Sequence, residues 1–473
     1  MGCSGGSVSR PLFSAKVCMS ALVVPRQSPP CQSGALGTAV RRGRLHKQGL
    51  SDGDLWVNKM ARILVLGAGF AGLWAAVGAA RKLNEIGALT GEVEILVVDR
   101  NPYHNIRVRN YELDLGNVAI PLGEVLNPIG ISHLTAEVQT IDVAKQQVAI
   151  TTRGGREILS YDRLVLALGS ELVRPDIPGL AANTFDVDTY SAAVRLNAHI
   201  AGLSTCPMSP GRSTVVVVGA GFTGIEVAAE MPSKLGRALR ASENRVILVD
   251  HNPVVGATIG AHARPVICEA LETLRIETRL GTKVTAVDAT GIVLASGEII
   301  PAQTIVWCAG MRASPLAAML PGVLDRLGRL TADPFMRVAG LANVFAAGDV
   351  ACSLVDGVHP TVMSCQFARP MGRFAGHNVV ADLFSRPMIP LRIDWYVTVL
   401  DLGTWGALYT VGWNRQLLSS GQNTKVIKQT INHKRIYPPR RGTREDTLAA
   451  AAPIVQAPPQ YPAGADVTAL SAT

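Results

Sequence analysis

Apolar positions fall in two matching blocks. In the first, Ile63–Leu64–Val65–Leu66 is an unbroken aliphatic run that stops at Gly67 and gives way to an Ala-rich stretch over Leu73–Ala80. The second repeats it 152 residues on: Val215–Val216–Val217–Val218 stops at Gly219 and leads into Ile225–Glu230. Runs of this kind predict strands buried on both faces of a parallel sheet, and the Ala-rich stretches predict helices packed against them. Each block continues into a second such strand, Glu94–Asp99 and Arg245–Asp250, and each of these ends on an acid. Leu164–Gly169 and Ile305–Gly310 then match as a strand followed by a Gly turn. Alternation over Glu137–Asp142 and Gln147–Thr151 predicts an antiparallel hairpin. Asn343–Val350 is a short strand delivering Gly348–Asp349, ahead of a helix-compatible stretch over Val362–Leu383. Pro232, two turns into the second Ala-rich helix, is expected to kink or end it.

Between strand and helix both blocks read G-x-G-x-x-G: Gly67, Gly69 and Gly72, then Gly219, Gly221 and Gly224. The first glycine makes the tight turn, the second lets a pyrophosphate approach the backbone at the helix start, and the third allows close helix–strand packing. One copy is weak evidence, but two in the same strand–helix context imply two dinucleotide sites. Asp99 and Asp250 stand where a carboxylate accepts hydrogen bonds from an adenosine ribose. They lie 32 and 31 residues past the first glycine, beyond the usual spacing, so extra turns are expected near Asn84–Gly91 and Ser233–Asn244. A carboxylate at Asp250, followed by His251–Asn252–Pro253 rather than Arg, disfavours a dinucleotide that carries a 2′-phosphate.

The predicted class is α/β: two Rossmann-like domains, the second inserted into a discontinuous first, plus a small C-terminal region. The boundaries are 60–178 and 311–390 for the first domain, 179–310 for the second and 391–437 for the C-terminal region. Residues 1–59 are Ser-, Gly-, Pro- and Arg-rich and are expected to be disordered, as is the tail 438–473. The N-terminal stretch reads either as an organelle transit peptide or as sequence upstream of a natural start at Met60.

Charge adds one exclusion. The net +9 is concentrated at the ends: residues 1–50 hold seven Lys/Arg and no acid, and the last 49 hold seven against three. A near-neutral middle argues against a nucleic-acid surface. Eight scattered cysteines with no C-x-x-C pair point away from a zinc site or a disulfide framework, and toward a reducing compartment. No metal is expected.

The paired fingerprints, Tyr161–Ser170 (YDRLVLALGS), Val306–Gly310 (VWCAG) and Val344–Ala351 (VFAAGDVA) resemble the two-dinucleotide flavoprotein reductases. Within them Asn101–Pro102–Tyr103–His104, Phe222–Glu226 and Thr361–Gly372 most resemble the type II NADH dehydrogenases, single-chain NADH:quinone oxidoreductases. The resemblance spans residues 60–437 and implies FAD and NAD as cofactors. FAD would lie on Gly67, Gly69, Phe70, Ala71, Gly72, Asp99, Arg100, Val138, Ala167, Gly169, Gly348 and Asp349. NADH would lie on Gly219, Gly221, Gly224, Asp250 and Gly310. Two residues are implied as catalytic. Glu226 would be the Glu near nicotinamide and flavin, or simply an acid complementing the helix dipole. Gln366 would belong to a quinone motif, A-Q-x-A-x-Q-Q-G, or be a plain helix-surface residue. Here that motif reads Cys365–Gln366–Phe367–Ala368–Arg369–Pro370–Met371–Gly372, with Pro370 and Met371 at the paired Gln positions. His104 and His359 are candidate proton groups on the acceptor side, or structural.

The expected activity is hydride transfer from NADH to FAD and electron transfer to a quinone-like acceptor. Alternatives are a sulfide:quinone reductase using Cys352 and Cys365, and an NADH-binding flavoprotein sensor. The expected location is cytoplasmic, with a peripheral position on the inner face of the membrane as an option. Lys425, Lys428, Lys434 and Arg435, interleaved with Val426, Ile427, Ile431 and Ile436, would form the membrane contact or instead pack on the protein. A homodimer is a further candidate partner.

Overall fold

The computed structural model describes residues 60–88, 91–239 and 244–460, so the expectations for residues 1–59 and for 461–473 fall outside the described residues. Two parallel sheets carry the fold, and they share a four-strand order to which the first adds Val344–Ala346 at its edge. The first runs Val344–Ala346, Arg163–Leu166, Ala61–Leu66, Val93–Asp99, Ser132–Thr135. The second runs Thr304–Trp307, Thr214–Val218, Arg245–Asp250, Ile276–Leu280. The internal strands are fully buried aliphatic residues such as Leu64, Val65, Val216 and Val217, as their unbroken apolar pattern requires. Val344–Ala346 pairs with Arg163–Leu166 after the whole second domain has intervened, so the first domain is discontinuous.

The expected hairpin forms and gains a third strand, Gly155–Ser160. Its counterpart in the second domain is Val284–Asp288, Gly291–Leu294 and Ile299–Pro301. The long fingerprint spacing is taken up largely by helix: the two fingerprint helices run Phe70–Ile86 and Phe222–Leu239. Of the kink or stop expected at Pro232, the stop does not occur. One backbone hydrogen bond is lost there, while Met231, Lys234 and Leu235 around it are buried and keep the following turn docked.

A long helix, Cys365–Leu383, packs along the first fingerprint helix through glycines. A Cβ at Gly372 would stand 2.2 Å from the Ala71 carbonyl oxygen, and one at Gly376 2.1 Å from that of Ala75. The C-terminal region is a three-stranded antiparallel sheet, Val397–Asp401, Ala407–Val411 and Gln416–Gly421, followed by the helix Gln422–Thr430 and one π turn, Ile431–Arg435. The tail expected to be disordered from residue 438 instead carries the helix Arg444–Ala450. Thr443 caps it reciprocally with Asp446, and Leu448 is buried.

Candidate active site

Both fingerprints are built alike. Gly67 and Gly219 have φ of 97° and 108°, the left-handed region that a side chain disfavours. A Cβ at Gly72 would lie 1.8 Å from the Gly67 carbonyl oxygen, and one at Gly224 1.6 Å from that of Gly219. Gly69 and Gly221 are the opposite case, with nothing within 4 Å of an added Cβ. Third glycines therefore serve packing, and middle glycines face open space at a helix start.

Each loop is closed by its acid. Asp99 Oδ2 accepts from the Ala68 N–H at 2.7 Å and Oδ1 from the Asn101 N–H at 2.7 Å. Asp250 does the same with Ala220 (2.5 Å) and Asn252 (2.7 Å). Burial pushes the Asp99 carboxyl above its ordinary range, against the pull of its two backbone donors. These carboxylates thus shape the loop as well as offering lone pairs to a ribose, a double role the spacing argument did not anticipate.

The two loops open onto one cavity of about 1260 Å³, above the roughly 300–1,000 Å³ of a pocket for one drug-sized molecule. Its wall includes Gly67, Gly69, Phe70, Ala71, Asp99, Arg100, Val138, Ala167, Gly169, Gly348 and Asp349 from the first set. Gly219, Gly221, Asp250 and Gly310 come from the second, together with Glu226 and Gln366. Of the residues expected to hold the cofactors, Gly72 and Gly224 alone stand behind the wall. Asp349 Oδ2 accepts from Ser170 Oγ at 2.7 Å and lies 3.8 Å from Arg107. Ser170 closes the YDRLVLALGS motif but was not marked as a site residue, and Arg107 lies in no motif.

Glu226 is more than a first-turn acid. Its Oε1 accepts from Lys428 Nζ at 2.7 Å and from the Asp401 N–H at 3.1 Å, and both side chains of the ion pair are buried. Burial raises the Glu226 carboxyl, with Lys428 opposing, while burial and then Glu226 act on Lys428, whose ammonium ends above its usual range. Around them Tyr111 donates to Asp401 Oδ2 at 3.0 Å, and Lys425 is paired with Asp401. Three of the four cations read as a membrane contact or as packing on the protein are thus engaged within the protein. Lys428 and Lys425 neutralise buried carboxylates, and Arg435 donates to the Ala457 carbonyl. Among the described residues no helix is long and apolar enough to cross a membrane.

Gln366 stands at the start of the Cys365–Leu383 helix with a buried, unpartnered Nε2. Neither of the two candidate histidines lines the cavity. His359 pairs with Asp356 at 2.7 Å, stacks on Trp413 and lies outside the cavity wall. His104 is fully buried beneath the first loop, its Nδ1 2.8 Å from the Ala68 carbonyl oxygen, and burial lowers it to about 4. Its folded value lies below its unfolded one, so its contribution to stability is present above about pH 6.5 and is lost as pH falls toward 4. Up to about 3 kcal/mol is at stake over that window. His104→Asn, which keeps a donor to Ala68, is expected to flatten the acid limb of a urea-midpoint against pH curve. An unchanged limb would refute this assignment. Cys365 lines the cavity and Cys352 does not, and burial raises both thiols. No cluster of metal-ligating side chains occurs among the described residues.

Residues 61–372 match the pyridine nucleotide-disulphide oxidoreductase family. The chain belongs to this family. It is 55% identical to an NADH dehydrogenase-like protein of Mycobacterium tuberculosis, over 85% of this chain and all of that one. It is 29% identical to a demethylphylloquinone reductase of Synechocystis, over 73% of this chain and 86% of the other. Among solved structures, NDH2 of Plasmodium falciparum in complex with NADH superposes with a TM-score of 0.66 at 13% identity, covering 83% of this chain and 97% of that one. As a pyridine nucleotide-disulphide oxidoreductase the chain takes FAD and NAD(H) and is an oxidoreductase of the NADH dehydrogenase type. The cavity fits that pair of cofactors: two open Gly cradles, and a first fingerprint helix whose N-terminus has no side-chain cap to occupy its donors.

Proposed function

We propose that the chain oxidises NADH and delivers the electron pair to a quinone or a similar ring acceptor, in net form NADH + H⁺ + quinone → NAD⁺ + hydroquinone. The observation that carries this reading is the shared cavity, with Glu226 on the nicotinamide fingerprint and Gln366 on the opposite helix. FAD, when bound, supplies a two-electron carrier between donor and acceptor.

The chain's own residues hold the reactants. Backbone N–H groups at Gly69, Phe70 and Ala71 bind the first pyrophosphate, with Asp99, Arg100 and Val138 about the ADP half. Ala167, Gly169, Gly348 and Asp349 hold the flavin end, Asp349 being oriented by Ser170. Gly221 and Asp250 bind NADH, and Gly310, with φ of 83°, stands on the cavity wall at the nicotinamide end. Gly67, Gly72, Gly219 and Gly224 keep the loops and helices close enough for this. Lys428 fixes the Glu226 carboxylate at the wall, where it positions the nicotinamide. Gln366 offers an unpaired amide to an acceptor oxygen.

NADH added anaerobically to purified protein is expected to bleach the visible flavin absorbance, and menadione to restore it. Bleaching with no recovery by any quinone would replace this reading with that of a sensor. An NADH-resistant flavin would end both. In the same assay Asp250→Ser, which removes the charge opposing a 2′-phosphate, is expected to cut the NADH:NADPH preference in kcat/KM about tenfold or more. An unchanged ratio would place the discrimination elsewhere.

A further inference from the structure

Buried cations in this protein generally carry a partner: Arg109 has Glu112, Arg329 has Asp325 and Lys428 has Glu226. Two arginines at the Gln366 end of the cavity do not. Arg369 and Arg373 lie one turn apart on the Cys365–Leu383 helix, 7% and 2% exposed, each with a buried Nε that has no hydrogen-bond partner. The half-buried Arg435, which donates to the Ala457 carbonyl, reaches the same wall from the π turn. No carboxylate pairs with any of the three among the described residues. Burial depresses Arg369 to about 10 and Arg373 to about 9, with mutual repulsion adding to the effect in Arg373.

Trp74 partly offsets this cost. Its ring lies 4.4 Å from the Arg373 guanidinium carbon and 5.5 Å from that of Arg369, a cation–π arrangement that fixes the guanidinium planes and supplies no counter-charge. The helix cannot rotate them away, since Gly372 and Gly376 lock it against the first fingerprint helix. Unpaired buried charge is expensive, and arginine forks are shaped for carboxylate, sulfonate or phosphate oxygens. A neutral acceptor filling this chamber would seal the Arg369 and Arg373 guanidiniums away from water uncompensated. An acceptor carrying a negative group would neutralise them.

We propose that the acceptor chamber is an anion site, and that the electron acceptor is a flat ring bearing an anionic substituent held by Arg369, Arg373 and Arg435. This rests on the quinone-type reading above for its redox role. The ring takes up two electrons and two protons to become the hydroquinone, and the anionic group is unchanged.

Calorimetric titration of the FAD-loaded protein with 1-naphthalenesulfonate, which has no redox chemistry, tests the site apart from turnover. It is expected to bind about tenfold or more tighter than neutral 1-naphthol, with the preference abolished in R369Q/R373Q and largely kept in R369K/R373K. Equal affinity for the two probes, or an unchanged preference in R369Q/R373Q, would overturn the proposal. So would loss of FAD from R369Q/R373Q with retention in R369K/R373K, since the charges would then serve the cofactor's own phosphates. In turnover, 1,4-naphthoquinone-2-sulfonate is expected to exceed 1,4-naphthoquinone in kcat/KM for the unmodified protein but not for R369Q/R373Q. An equal ratio in both proteins would overturn the acceptor assignment. Reduction of neither quinone would overturn the quinone reading and this acceptor assignment with it, while the calorimetry still decides the anion site.

Discussion

Gly224→Val should leave the protein yellow with bound FAD and nearly inert toward NADH. A Cβ at this position meets the Gly219 carbonyl oxygen at 1.6 Å, a backbone atom that cannot rotate aside. The second fingerprint helix must therefore lift off its strand, carrying its N-terminal N–H groups away from the pyrophosphate. A misplacement of about 1 Å costs on the order of 100-fold in rate, or about 2.7 kcal/mol, so kcat/KM for NADH should fall at least that far. Gly72→Val is the mirror experiment: its Cβ would stand 1.8 Å from the Gly67 carbonyl oxygen, and FAD should be lost while the second domain still binds NADH. Flavin content by absorbance and NADH binding by fluorescence separate the two outcomes. A Gly224→Val protein reduced by NADH at the normal rate would contradict the placement of NADH on the second loop.

Lys428→Met should destabilise the protein by about 3–5 kcal/mol, the usual result of stranding one member of a buried ion pair. Glu226 would then keep only the Asp401 N–H as a hydrogen-bond donor, in a setting whose burial already favours its protonated form. Glu226→Gln should cost a similar amount by leaving Lys428 buried without its counter-ion. The double variant E226Q/K428M should recover much of the loss, because no uncompensated charge remains. Urea unfolding of the four proteins measures this directly, and additive losses in the double variant would show that the two side chains do not act as a pair. The bond joins residues 202 positions apart, linking the C-terminal helix to the start of the nucleotide helix. Its loss is therefore also expected to show as slower flavin reduction by NADH.

The same two positions show where sequence reading reaches its limit. Glu226 is legible as a site candidate because it sits at a fixed offset from a glycine fingerprint. Lys428 is not, since its neighbours are alternating cations and aliphatics that suit a membrane face equally well. Arg369 and Arg373 are visible only as departures next to a motif, and nothing local says that they are buried without carboxylates. Pro232 reads as a stop, yet the packing of Met231 and Leu235 outweighs one missing hydrogen bond. The helix at Arg444–Ala450 was hidden in a stretch whose composition signals disorder.

Sequence alone determined the two strand–Gly–helix units, their acids, the α/β class and the discontinuous first domain. Each of these depends on interactions within a few dozen residues, so periodicity and glycine spacing carry them. Tertiary structure alone decided which charges are neutralised and which are left bare in the cavity. Counter-ions 200 and more residues apart meet only after the chain folds, and the energy of a buried charge depends on that meeting rather than on its neighbours in sequence.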